Sequence, residues 1–220
     1  MERNKVANVT YPIRKLDHSL LVYKRIIDIV LGSLIFIVVS PIFFLIMLVI
    51  FLLDGGPIFF VQTRSGLNNK PFKIYKFRTM TNKNSLQKNN HNYSWENGVP
   101  DEFVFKGKEN PNITKIGKVL RRTSMDELPQ IINVLLGTMS LVGPRPEIPQ
   151  ITQFYSDYQR SRLSCKPGIT GYAQINGRST INHGEKIKFD LYYVRNWSLK
   201  LDLIILWKTI FQVLSGKGSY

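Results

Sequence analysis

Asp126 and Glu127 are adjacent carboxylates, preceded by Arg121-Arg122 and followed by Arg145, which stands between Pro144 and Pro146. Carboxylates and arginines gathered this densely suit a reaction that brings a metal ion and phosphates together. A carboxylate serves as nucleophile or metal ligand, and a guanidinium grips phosphate oxygens bidentately. The two prolines restrict the backbone around Arg145 and so reduce the entropy lost on gripping a phosphate. A rigid exposed turn is the plainer use of the same residues. Upstream, basic and apolar residues alternate from Lys70 to Met80, as on a strand with one face buried and the other cationic. On that reading Lys76 and Arg78 point together toward a phosphate-binding surface, or else lie on a solvated edge.

Several local elements must position these groups. Ser124-Met125-Asp126-Glu127 fits a capping box, with Glu127 folding back onto the Ser124 backbone. Pro129 belongs in the first turn of a helix, so Asp126 is the cap or sits one or two residues inside. Either placement sets its carboxylate beside exposed N–H groups that favour its ionised form. Leu128, Ile131, Ile132 and Leu135 bury one face of that helix, and Gly137 stops it. Residues 113–122 predict a short basic helix with Ile116, Val119 and Leu120 on its apolar side. Farther on, the glycines of Lys166–Arg178 permit close backbone approach, and Gln174, Asn176 and Arg178 offer polar contacts. This stretch is neither a Walker loop nor a dinucleotide fingerprint. Asp190 is either structural or a metal or substrate contact. Residues 81–112, rich in Asn, Lys, Ser and Gly, predict a long surface loop, either functional or mobile.

A chain of 220 residues accommodates one domain plus attachments. Its formal charge of +15 calls for anionic partners: nucleic acid, an anionic membrane surface or phosphorylated substrates. No zinc spacing, RNA-binding signature or long basic helix accompanies the charge, so nucleic acid is set aside. The single cysteine, Cys165, excludes an internal disulfide and reads as a small buried residue in a cytosolic domain.

From Ile29 to Leu53 the chain carries no charge. A straight helix of that length reaches about 37 Å, enough to cross a hydrocarbon core of about 30 Å. Ser40-Pro41 interrupts it, because Pro41 has no N–H for the Ile37 carbonyl and the Ser40 hydroxyl can serve freed backbone groups. Two arms of about a dozen residues, each too short to span, would then form a re-entrant hairpin. Basic residues flank both sides, which removes the asymmetry a single span would show. An ordinary kinked span is the alternative. The tail from Leu199 to Leu214, with Trp207 in its middle, suits an amphipathic helix in the membrane interface or a core helix.

These motifs closely resemble the signature of the bacterial sugar transferase family, the monotopic phosphoglycosyl transferases. The resemblance rests on Arg121–Gln130, Ser140–Glu147, Lys76-Phe77-Arg78, Lys166–Arg178 and Tyr192–Leu199, and extends from about Tyr23 to Trp207. Asn112 and Lys115 stand where relatives often carry arginine, which weakens phosphate binding at that turn. The resemblance implies an enzyme of mostly α, α/β class: a basic segment (1–22), a re-entrant membrane helix broken at Ser40-Pro41 (23–54) and a cytosolic catalytic domain (55–220). It implies transfer of a sugar-1-phosphate from a UDP-sugar to undecaprenyl phosphate, with release of UMP, at the cytosolic face of a bacterial membrane. Asp126 would form a covalent phosphosugar adduct; Asp126 and Glu127 would hold Mg²⁺, with Glu127 a metal ligand or a proton carrier. Lys76, Arg78, Arg121, Arg122, Arg145, Gln174, Asn176, Arg178 and Asp190 would bind substrate. A glycosyltransferase that releases UDP, or an inactive membrane scaffold, are the competing functions. The sugar, the polysaccharide pathway and whether the chain pairs as a homodimer stay open.

Overall fold

A computed structural model describes residues 18–81, 94–104, 112–177 and 181–215. The described chain is mostly helical, with two small sheets. Helix α1 (His18–Asp54) has 37 residues, about 55 Å of helix. It is the one described helix long and apolar enough to cross a membrane. A narrow stripe of it, including Asp28, Phe43, Ile46 and Ile50, is buried against the rest of the chain. Val30, Leu34, Ile37, Val38, Phe44, Leu45 and Leu48 on the remaining faces are exposed. A helix apolar all round but packed along one stripe needs an apolar surrounding for the rest.

Helix α1 is described from His18 onward and stays helical through Pro41. The reason is local: the Ser40 hydroxyl donates to the Ile37 carbonyl at 2.8 Å, the carbonyl that Pro41 cannot serve. The side-chain bond replaces the missing backbone bond without ending the helix.

Both ends of α1 are tied to the same body. Near its start, Arg25 donates to the carbonyls of Val134 and Leu135 at 2.5 and 2.7 Å. Asp28 accepts from the Ser140 hydroxyl and the Leu141 N–H, both at 3.0 Å. At its end, Arg78 donates to the carbonyls of Asp54, Gly55 and Gly56 at 2.6–2.7 Å.

Strands β1 (Phe59–Ser65) and β2 (Pro71–Phe77) form an antiparallel hairpin in which Phe59 faces Phe77 and Ser65 faces Pro71. The expectation of one buried and one cationic face fails. Ile74 and Phe77 lie on opposite faces of β2 and both are buried, Phe77 among Phe43, Ile46, Ile50 and Leu120 and Ile74 in the main core. The strand is covered on both sides, so Lys76 shares a face with apolar neighbours.

Helix α2 (Lys115–Arg122) is capped by the Thr114 side chain, which accepts from Gly117 N–H. Its apolar side is Ile116 and Leu120; Val119, expected there too, is 54% exposed. Gly117 sits flush on the Thr79 backbone, where a Cβ would collide with the Thr79 carbonyl, and that seat rotates Val119 outward. Helix α3 (Gln130–Leu136) ends at Gly137, whose φ of 84° is left-handed, as its role of stop requires. Asn133 binds α3 to β2 by accepting from Tyr75 N–H at 3.0 Å and donating to the Lys73 carbonyl at 2.7 Å.

The second sheet pairs β3 (Ser140–Val142) with β4 (Gly168–Thr170) in parallel. Short helices α4 (Pro149–Thr152) and α5 (Asp157–Arg160) lie between them in sequence. After β4 come α6 (Tyr172–Asn176), α7 (His183–Asn196) and α8 (Leu199–Ser215). On α8, Asp202 and Ile205 are buried while Leu203, Ile204, Trp207, Ile210 and Phe211 are exposed. Asp202 gathers Lys24 of α1 at 2.6 Å, the Tyr193 hydroxyl at 2.8 Å and the Trp197 indole N–H at 3.1 Å. This network ties α8 to the start of α1.

Candidate active site

Asp126 and Glu127 lie on a single 3₁₀ turn, Met125–Glu127, between α2 and α3. The expected capping box does not form. Ser124 has a left-handed φ of 57° and its side chain caps nothing, and α3 starts only at Gln130 with Pro129 before it. Glu127 turns away from the Ser124 backbone because two cations claim its carboxylate. Lys76 Nζ meets Oε1 at 2.6 Å, and Arg145 grips both oxygens, Nη2 on Oε1 and Nη1 on Oε2 at 3.1 Å. Burial alone would raise the Glu127 pKa, but Arg145 and Lys76 outweigh it and hold the group well below the usual carboxylate range. Glu127 in turn raises the Arg145 pKa, while burial pulls Lys76 below its ordinary value despite Glu127.

Asp126 is in the opposite condition. Half-buried, it has no hydrogen bond or ion pair among the described residues. Its pKa is raised, first by burial and then by the charge of Glu127, against the pull of Lys76, Arg145 and Arg121. One carboxylate is therefore saturated by cations and its neighbour is free beside them. Environments that push two adjacent carboxylates apart in this way divide their roles.

Arg145 is delivered by the turn after β3. Gly143, Gly168 and Gly171 meet there backbone to backbone, and a Cβ on any of them would collide with main-chain atoms of the others or of Lys166. Glycine is required by this approach. Glu147 anchors the far side of the turn through Lys186 at 2.6 Å, with Arg64 at 3.9 Å. Burial opposes ionisation of Glu147, yet Lys186 and Arg162 lower its pKa to about 2.

The structure gathers Lys76, Asp126, Glu127 and Arg145, with Arg121 near enough to act on Asp126 through its charge. Arg121 Nε also donates to the Thr79 hydroxyl at 2.9 Å, and Arg122 is exposed on α2. Arg78 is placed elsewhere: it is 7% exposed and clasps the end of α1. Asp190 is 1% exposed at its side chain and paired with Arg162 at 2.6 Å, away from any solvent-facing ligand position. The Gln174 amide is buried beside Gly171, and neither of its polar atoms has a partner among the described residues. Asn176 is exposed and donates to the Tyr172 carbonyl at 2.7 Å. Arg178 lies outside the described residues.

Sequence reading missed Arg162, Arg64, Asn133 and Lys186. Their partners are distant in the chain, and no local pattern marks them; Glu147, inside the Ser140–Glu147 block, is the one signal that was available. For a metal, the described residues contain no group of three or more His, Cys, Asp or Glu side chains. Of the adjacent pair, Asp126 offers the unoccupied carboxylate, which suits Mg²⁺ shared with phosphate oxygens and water. Glu127 does not fit as a second ligand while Lys76 and Arg145 hold its oxygens.

Residues 19–216 match the family model described as bacterial sugar transferase. Over 198 residues the chain is 42% identical to the sugar transferase EpsL of Bacillus subtilis, covering 90% of each. It is 38% identical over 204 residues to the exopolysaccharide production protein ExoY of Rhizobium meliloti, covering 90% of this chain and 88% of that one. A third relative is the UDP-glucose:undecaprenyl-phosphate glucose-1-phosphate transferase of Escherichia coli. It is 42% identical over 207 residues, which span 90% of this chain and 41% of the relative. Extending across nearly all of the described residues and every element that builds the site, the match places the chain in the bacterial sugar transferase family.

Proposed function

We propose that this chain transfers a sugar-1-phosphate from a UDP-sugar to undecaprenyl phosphate and thereby begins the assembly of a surface polysaccharide. The observation that carries the reading is the free Asp126 carboxylate beside a Glu127 already held by Lys76 and Arg145. The names of the Escherichia coli and Rhizobium meliloti relatives support the lipid acceptor and the polysaccharide product.

An Asp126 oxygen attacks the phosphorus that carries the sugar. The bond from that phosphorus to the bridging oxygen breaks, UMP leaves with the oxygen, and a phosphosugar–aspartate ester remains. A phosphate oxygen of the lipid then attacks the same phosphorus and frees Asp126. Raised pKa makes Asp126 the stronger nucleophile once ionised, and Lys76, Arg145 and Arg121 favour the ionised form. Glu127, ionised throughout, keeps Lys76 and Arg145 aimed at the place where negative charge collects. Mg²⁺, when bound, supplies counter-charge to the diphosphate. Asp126 is the residue available to hold it.

The reading includes a membrane arrangement in which both ends of α1 stay on the cytosolic side, with the active site at the depth of a lipid phosphate. Support comes from the contacts of Arg25 and Asp28 near one end of α1 and of Arg78 at the other, all within one body. A straight span would put about 30 Å of hydrocarbon between those ends. Trp207, exposed on α8 with Leu203, Ile204, Ile210 and Phe211, suits an interfacial helix.

A panel of UDP-glucose, UDP-galactose and UDP-N-acetylglucosamine, each with undecaprenyl phosphate, tests the reaction through its nucleotide product. UMP with a sugar-diphospholipid supports it. UDP as the product replaces it with a glycosyltransferase, and no turnover across the panel removes it.

A further inference from the structure

The Arg162–Asp190 pair is fully buried, with side-chain exposures of 0% and 1%, and no role so far uses it. We propose that Arg162, held by Asp190, is a positioning residue that fixes the backbone beneath Arg145; this rests on the transferase reading and deepens it.

Arg162 spends its guanidinium on three partners. Its Nε donates to Asp190 Oδ2 at 2.8 Å, Nη1 to the Tyr155 hydroxyl at 3.2 Å, and Nη2 to the Arg145 carbonyl at 2.8 Å. The next two carbonyls of the turn are also held, Pro146 by Arg64 Nη1 at 3.4 Å and Glu147 by Ser65 N–H at 2.9 Å. Three successive carbonyls thus have three separate donors. Pro144 and Pro146 fix their own φ, and Pro146 biases Arg145 toward an extended conformation. The freedom left is rotation of the Arg145 carbonyl about its Cα–C bond, and Arg162 removes it.

The partners come from different elements: Arg162 from the turn after α5, Asp190 from the middle of α7, and Arg145 from the turn after β3. The guanidinium therefore sets the distance between α7 and the reactive centre. A well-packed apolar pair would serve stability as well as a buried ion pair does. Only a forked cation reaches a carboxylate and a carbonyl in fixed directions at once.

The test is a double-mutant cycle on the full chain in lipid nanodiscs: wild type, Arg162→Lys, Arg145→Ala and the double variant. UMP release is followed with an equimolar mixture of the three UDP-sugars above. Lysine keeps the charge opposite Asp190 but cannot hold both partners. Arg162→Lys should lower kcat/KM about 100-fold, chiefly through kcat, as a misplaced catalytic group does. In the Arg145→Ala background the same change should cost less than about 2-fold, because the group being positioned is gone. Equal losses in both backgrounds, or no loss in either, overturn the proposal. Should Arg162→Lys lose its thermal transition, Tyr155→Phe replaces it in the cycle; a loss of about 5-fold confined to the Arg145 background is then expected. A wild type that releases no UMP refutes the transferase reading itself, whereas a wild type that releases UMP with an additive cycle refutes only the positioning role.

Discussion

Asp126 and Glu127 share a peptide bond but not an environment. Glu127 takes Lys76 at 2.6 Å and both η nitrogens of Arg145, whereas Asp126 is bound to nothing among the described residues. Two chemically similar groups become a fixed anchor and a free carboxylate because the cations reach only one of them. The assignments tested below follow from that asymmetry.

Asp126→Asn should retain the fold and lose turnover. The side chain has no partner to forfeit, so stability should change by less than about 0.5 kcal/mol, read as the thermal midpoint in nanodiscs. Turnover should fall by about 10³-fold or more, because an amide cannot act as the nucleophile. Wild type should carry labelled sugar-phosphate before lipid is added, and the variant should not. Substantial activity in the variant with no adduct on wild type would remove Asp126 from the nucleophile's role.

Arg145→Lys should be impaired by about 100-fold in kcat/KM. Lysine can meet one oxygen of Glu127 but not both, so the cation loses its direction. Stability should fall by only about 1 kcal/mol, since the Arg145 side chain is 42% exposed and solvent screens the pair. Kinetics close to wild type would make the pair with Glu127 a structural contact.

Much of this centre is legible in the sequence, because residue type and spacing carry it: Asp126-Glu127 and Pro144-Arg145-Pro146 are found together as their motifs imply. Which carboxylate the cations take is not legible, since Lys76 arrives from a strand fifty-one residues away. Arg78 shows another limit. Residues two apart share a face only while the pleat continues, and β2 ends at Phe77, so Arg78 turns to the end of α1. Val119 shows a third: helical periodicity names an apolar face, but the seat of Gly117 on Thr79 decides its direction. The Ser-x-x-Glu pattern of a capping box loses to a stronger electrostatic competitor for Glu127.

Activity should vanish in excess EDTA and return with added Mg²⁺. The site brings one free carboxylate to a diphosphate, and the fixed cations Lys76 and Arg145 are already shared with Glu127. Undiminished UMP release from metal-free protein in metal-free buffer would show that the protein's cations suffice.

Acid should weaken the fold through Glu147. Its folded pKa, about 2, lies below the ordinary 4.5, so its contribution is complete above pH 4.5 and is lost as pH falls toward 2. A shift of that size corresponds to about 3 kcal/mol at most, with Lys186 as the closest partner. Glu147→Gln should therefore be less stable than wild type at pH 7, and its thermal midpoint should change less between pH 4.5 and pH 2. Parallel pH profiles for the two proteins would exclude Glu147 as the group that titrates.

The final prediction concerns α1. If both of its ends remain on the cytosolic side, a cysteine at Lys5 and another at the exposed Lys118 should both resist an impermeant reagent in intact cells, with Cys165→Ser as background. Replacing Ser40 and Pro41 with Leu and Ala restores the Ile37 backbone bond and removes the side-chain bond that stands in for it. An apolar helix without the proline then competes to span, opposed by the clasps of Arg25 and Arg78 and by the basic amino-terminal flank. Adding Arg78→Ala frees the carbonyls of Asp54, Gly55 and Gly56, so the combined variant should expose the Lys5 probe more than the Ser40/Pro41 change alone. The Lys118 probe should stay protected throughout. Labelling of the Lys5 probe from outside in the otherwise unaltered chain would establish an ordinary span, and the contacts of α1 with the domain would then have to form on one side only.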